Sequence, residues 1–125
     1  MSGVDFAKVI QAKAIANEEL LEKRKVYGYT LINSIKVILD MPSSDFPKLY
    51  GALSERAFIF TEVSTGRSPM VVIRVSPMKP SVVVLHELEE KGVDKLALKI
   101  AQKEQIPLLT TTLNLKKIGE ELKKL

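Results

Sequence analysis

Ser81-Val82-Val83-Val84-Leu85 and, further on, Ile106-Pro107-Leu108-Leu109 are short, unbroken apolar runs. Runs of this length without alternation suit strands buried on both faces. Between them lies an amphipathic stretch, Asp94 to Gln105, about which Val93, Leu96, Ala97, Ile100 and Ala101 recur at helical spacing, and Asp94 suits the positive end of a helix dipole. Two strands joined by a helix in one sheet run parallel. The second run breaks off at Thr110, Thr111 and Thr112, and the last segment, Leu113 to Leu125, carries the stripe Leu115, Ile118, Leu122, Leu125. Thr112 or Asn114 is placed to cap that helix. The second half therefore reads strand, helix, strand, helix, and the fold class is α/β.

The first half is less regular. Val4 to Gln11 predicts a short helix, Lys13 to Ala16 a short strand, and Asn17 to Glu22 a polar turn or helical turn. Lys25 to Ile32 is rich in Val, Tyr, Thr and Ile and predicts a strand. Asn33 or Ser34 opens a helix to about Asp40, Met41-Pro42-Ser43-Ser44 breaks it, and Asp45 caps a further helix from Phe46 to Leu53 with Pro47 in its first turn. Ala57 to Thr61 predicts a strand. Met70 to Val75, apolar and β-branched, predicts another. That segment looks like an exposed edge, which leads to the expectation of a homodimer that covers it. Ser76 to Pro80 reads as a rigid connector.

The chain has 125 residues, 46% of them hydrophobic and 27% charged. That is enough for one domain, residues 1–125, with a proper core. With no cysteine, thiolate metal sites, disulfides and cysteine nucleophiles are excluded. No uncharged apolar run approaches the ~18 residues of a membrane span, and no signal-peptide core is visible, so no membrane partner and a cytoplasmic location are expected. Few Asn, Gln and Cys beside many Lys and Glu lean towards a thermophile. The formal net charge is +4 and the isoelectric point about 9.3. The visible clusters are Lys23-Arg24-Lys25, Lys116-Lys117 and Lys123-Lys124.

No phosphate-binding loop, dinucleotide fingerprint, zinc-protease motif or nucleophile elbow occurs. The single histidine, His86, stands beside Glu87, which suits a general base and its orienter; a histidine bonded to its turn is the structural alternative. Thr110 and Thr111 follow a strand and precede a helix, so their hydroxyls and free helix N–H groups suit an anion, or alternatively satisfy local backbone. Thr61 ends a second strand and joins the same rim if that strand is parallel. Arg24 and Gly28, among Lys25, Tyr27 and Tyr29, suit a phosphate or a stacked base; cross-strand packing is the plainer alternative.

The run Val83-Val84-Leu85 to Ile106-Pro107-Leu108-Leu109-Thr110-Thr111 and the closing helix resemble the last half of DRTGG domains and of the N-terminal domain of HPr kinase/phosphorylase. Val9 to Ala16 and Asn17-Glu18-Glu19-Leu20 resemble their opening. The name-giving segment falls on Lys23-Arg24-Lys25-Val26-Tyr27-Gly28-Tyr29, where Arg24, Val26 and Gly28 match and Lys23, Tyr27 and Tyr29 depart. The resemblance implies a three-layer α/β/α domain with a mainly parallel sheet, regulatory and often dimeric. It implies no kinase activity.

The expectation is a non-enzymatic regulatory or ligand-sensing domain. It would bind a nucleotide or phosphorylated small molecule through Arg24, Gly28, Thr61, Thr110 and Thr111, and it would need no cofactor and no metal. The alternative is a nucleic-acid- or protein-binding adaptor that uses the basic, aromatic segment 23–29. A small enzyme built on His86 and Glu87 is the third reading.

Overall fold

The computed structural model describes residues 1–33, 55–75 and 79–123. Among these residues five strands form one sheet: β1 (Lys13–Ala16), β2 (Gly28–Asn33), β3 (Arg56–Thr61), β4 (Val82–His86) and β5 (Leu108–Thr111). Their order is β1-β5-β4-β3-β2. β2, β3, β4 and β5 are mutually parallel, and β1 closes one edge antiparallel to β5, with a register shift between Ala14 and Ala16.

Among the described residues four α-helices cover the sheet. Helix α1 (Gly3–Val9) opens the chain, α2 (Arg67–Val75) joins β3 to β4, α3 (Lys95–Glu104) joins β4 to β5, and α4 (Leu115–Lys123) follows β5. Successive parallel strands step in one direction from β2 to β5, so right-handed crossovers put α2 and α3 on the same face. Phe58, Phe60, Val83, Leu85 and Leu108 meet Met70 and Ile73 of α2 and Ala97, Ile100 and Ala101 of α3. The alternate strand residues, Ala57, Ile59, Val82, Val84 and Leu109, meet Phe6, Ala7 and Ile10 at α1 and Ile118 of α4. The result is the expected three-layer α/β/α architecture with a mainly parallel sheet.

Local chemistry explains the element ends. Ser2 Oγ accepts from Asp5 N, Asp94 Oδ1 from Leu96 N, and Asn114 Oδ1 from Lys116 N, which caps α1, α3 and α4. Gln105 ends α3 at φ 55°, where its N–H reaches Ala101 and Gln102 carbonyls. The helix expected over Val4 to Gln11 runs Gly3–Val9. β2 starts at Gly28 rather than Lys25, because Lys25 is bridged to Ser2 instead.

One element differs in kind. The segment Met70 to Val75 is helical, within α2, not a strand. Its burial has the helical period: Pro69, Met70 and Ile73 are buried, whereas Val71 and Val75 are exposed. A parallel β3–β4 pair needs a crossover, and that demand overrides the β-branched propensity of Val-Val-Ile. The ground given for a homodimer, an open apolar strand at 70–75, is thereby removed. The helices expected after Asn33 and from Phe46 to Leu53 lie outside the described residues, although Asn33 itself ends β2.

The entry into α2 depends on Gly66. Its φ is +82°, and a Cβ there would sit 2.6 Å from Leu85 Cδ1 in the core. Gly66→Ala should therefore cost about 2 kcal/mol, from left-handed strain plus displacement of Leu85. Urea unfolding checks this; a midpoint unchanged from the parent would contradict it.

Candidate functional site

The strand carboxyl ends form a cleft of about 460 Å³, lined by Gln11, Lys13, Glu89, Glu90, Thr110 and Thr111 among others. Thr110 and Thr111 lie within β5 rather than beyond it, and both are buried. Thr111 Oγ1 donates to Ile10 O at 2.9 Å and accepts from Leu113 N at 3.1 Å. It is the tie between α1, β5 and the entry to α4. Thr111→Val keeps the shape and removes the hydroxyl, so about 1–2 kcal/mol of stability should be lost; thermal melting that left the variant level with the parent would contradict this.

The charge of the cleft does not suit an anion. Lys13 Nζ is 2.6 Å from Glu90 Oε2, and Lys91 Nζ is 3.6 Å from Glu89. The Glu90 carboxylate, by hydrogen bond and charge, raises the Lys13 pKa above its ordinary value. Both cleft lysines are thus matched by carboxylates. The strand order also never reverses between β2 and β5, and it is at such a reversal that open α/β sheets usually make a ligand crevice.

His86 is buried, and its Nε2 lies 2.7 Å from Leu113 O. A carbonyl only accepts, so Nε2 carries the proton and serves as a structural donor. Glu87 is exposed and sits at φ 59° as the chain turns out of β4. Among the described residues no group of three or more His, Cys, Asp or Glu side chains is placed to hold a metal.

The expected site residues do not converge. Thr61 closes β3, two strands from Thr110 and so about 10 Å across the sheet. Arg24 and Gly28 lie at the opposite, amino end of the strands. Gly28 pairs with Arg56, the first residue of β3, about 17 Å of strand rise from Thr61. Arg24 donates to Gln105 O at the end of α3. A Cβ on Gly28 would meet Arg56 Nη1 at 2.7 Å, and that guanidinium is engaged with Thr30 Oγ1 and Tyr29 O. Gly28 makes room for Arg56.

Segment 23–29 divides as well. Val26 is buried and Tyr29 packs against the core beneath α1 and α4, while Lys23, Lys25 and Tyr27 stay exposed, Tyr27 at 65%. Tyr27 borders an apolar groove of about 590 Å³ with Phe6, Val26, Tyr29 and Leu122.

A larger feature escaped the sequence reading. Along the outer side of α3, Lys95, Lys99 and Lys103 are exposed at four-residue spacing; on α2, Arg67 and Arg74 are exposed at seven. Arg74, Lys99 and Lys103 line one shallow cleft of about 120 Å³ between the two helices. Two carboxylates stand near them: Asp94 caps α3, and Glu104, which lines the same cleft, faces Lys79 at 3.9 Å. These cations come from two helices separated by a strand, so no run of sequence displays them.

No protein-family model matches this chain. It is 50% identical over 121 residues to an uncharacterised HTH-type transcriptional regulator of Archaeoglobus fulgidus, covering 97% of this chain and 50% of that protein. It is 53% identical over 118 residues to an uncharacterised HTH-type transcriptional regulator of Methanocaldococcus jannaschii, covering 94% and 48%. The chain thus spans about half the length of the curated relatives it matches. These relatives, named as transcriptional regulators, overturn the expected small-molecule sensor and favour the alternative, a nucleic-acid- or protein-binding adaptor. The geometry agrees, since Arg24 and Gly28 are far from Thr61, Thr110 and Thr111, and the threonine cleft holds no surplus positive charge.

Proposed function

We propose that this chain is the α/β half of a nucleic-acid-binding transcriptional regulator, with no catalytic role of its own. The observation that carries the reading is identity at 50% over nearly the whole chain to a protein named for a helix-turn-helix. A helix-turn-helix needs two consecutive helices joined by a short turn. Among the described residues a strand lies between each α-helix and the next described one. On this reading base recognition falls to the half of the relatives that this chain does not match, with the α/β half as an adaptor beside it. Such regulators commonly bind paired half-sites as dimers. A homodimer is part of the reading, now on different ground: β2 is the outer strand of the described sheet and exposes Leu31 at 48%. Light scattering should return twice the chain mass at micromolar concentration; a monomer would remove that part.

The layered α/β order also supports kinship with DRTGG domains, with a degenerate motif at Lys23 to Tyr29. No helix among the described residues is long and apolar enough to cross a membrane, which suits a regulator that works on DNA in the cytoplasm.

Deleting the α/β half from the Methanocaldococcus relative tests the division of labour. The remaining half should still prefer its DNA sequence over a scrambled duplex, with weaker affinity. Loss of sequence preference together with the α/β half, in a remainder that still folds by circular dichroism, would contradict the reading.

A further inference from the structure

We infer that the outer face of α2 and α3 binds the phosphate backbone of duplex DNA. The assignment rests on the chain's being half of a nucleic-acid-binding regulator, and it goes further by naming the surface and its mode of contact. Arg67, Arg74, Lys95, Lys99 and Lys103 are all exposed on this one layer. Lys95, Lys99 and Lys103 stand about 6 Å apart along the helix axis at 1.5 Å per residue, and the cleft shared with Arg74 makes the two helices one continuous surface.

Charge elsewhere is of a different character. The strand carboxyl ends present Glu62, Glu87, Glu89 and Glu90, and the 3-10 segment Glu18–Lys23 presents three glutamates beside one lysine. On α4, Lys117 is paired with Glu121 at 3.3 Å. Among the described residues the α2/α3 face sets five exposed cations against Asp94 and Glu104, a positive excess that gives it the electrostatic footprint of a nucleic-acid surface.

The face is suited to phosphates and not to bases. None of its exposed residues is aromatic, and the exposed large apolar residues of α2 are Val71 and Val75. Stacking on single-stranded bases needs aromatic platforms. Arginine and lysine without such platforms give backbone contacts, which position a protein on the duplex and carry no sequence information. The unmatched half of the regulator would then select the sequence while this face adds affinity.

The test is fluorescence anisotropy of this chain with a labelled random-sequence DNA duplex at 50, 100 and 200 mM salt. About four phosphate contacts should weaken binding about a hundredfold across that range. Arg74→Glu/Lys99→Glu/Lys103→Glu should lower affinity at least tenfold and flatten the salt slope by about three. Lys116→Glu/Lys117→Glu, on the opposite layer, should change it little. All these positions are exposed, and circular dichroism checks that each variant is folded. Equal losses in the two variants would mean that net charge alone acts, and would overturn the assignment. So would duplex binding absent at 50 mM salt, or binding to anionic phospholipid vesicles that matches the duplex. The broader reading is judged separately, by whether the intact Methanocaldococcus relative binds DNA: a relative that binds beside an unresponsive α2/α3 face defeats this assignment alone.

Discussion

Phe58→Ala should lower the unfolding free energy by about 4 kcal/mol, the largest effect expected of any single truncation in this chain. Phe58 lies in β3, flanked by β2 and β4, and is fully buried. Its ring meets Phe60 edge-on, with centroids 6.3 Å apart and planes at 80°. Truncation forfeits the transfer energy of the ring, leaves a cavity that packed strands cannot close, and removes an aromatic pair worth about 0.5–1.5 kcal/mol. A domain of this size has only about 5–15 kcal/mol to lose. Leu31→Ala, on the outer strand and 48% exposed, should cost under about 1 kcal/mol. Guanidinium unfolding of the two variants separates an interior β3 from an outer β2; similar losses would contradict the strand order.

Asn17→Ala should cost about 3 kcal/mol, although one polar side chain is all that changes. Asn17 Nδ2 donates to Ala101 O at 2.8 Å and to Ile106 O at 2.9 Å. It closes the end of α3 against the start of β5 from a residue more than eighty positions away. Removing the amide leaves two partly buried carbonyls without that donor, each worth about 1 kcal/mol or more. The backbone adds a term: Asn17 sits at φ 56°, a left-handed conformation that asparagine tolerates better than alanine. Asn17→Asp keeps the shape and the tolerance for that φ but turns a carboxylate towards two carbonyls, so it should be no milder. A loss under about 0.5 kcal/mol for either variant would show that the hydrogen bonds to Ala101 and Ile106 carry little.

What was legible in the chain, and what was not, follows from the range of each signal. The strand at Val82–His86, the helix at Lys95–Glu104 and the final helix are written in local periodicity, and local capping by Asp94 and Asn114 fixes their ends. The same local signal misassigned Met70 to Val75, because Val-Val-Ile carries strand propensity while the helix is imposed from outside, by the crossover between β3 and β4. Asn17 gave no sign of its role, since both of its partners are distant in sequence. Thr110 and Thr111 stand at a strand's carboxyl end, within β5 rather than after it, and the neighbouring Glu89 and Glu90 and the commitment of Thr111 to Ile10 emerge only in three dimensions. Arg24 and Gly28 were joined to that rim although the parallel sheet holds them at its far end. Basic residues were sought as contiguous runs such as Lys23-Arg24-Lys25, whereas the face with the clearest positive excess draws single cations from Arg67 to Lys103.

The measurement that bears most directly on this account is a selection from a pool of randomised DNA duplexes, run in parallel on this chain and on the intact Methanocaldococcus relative. The intact protein should enrich a defined sequence. This chain should retain duplexes in a salt-dependent way and return a pool with no sequence preference, as expected of backbone contacts beside a separate reading head. Enrichment of a defined motif by this chain alone would contradict the account and move sequence reading into the α/β half.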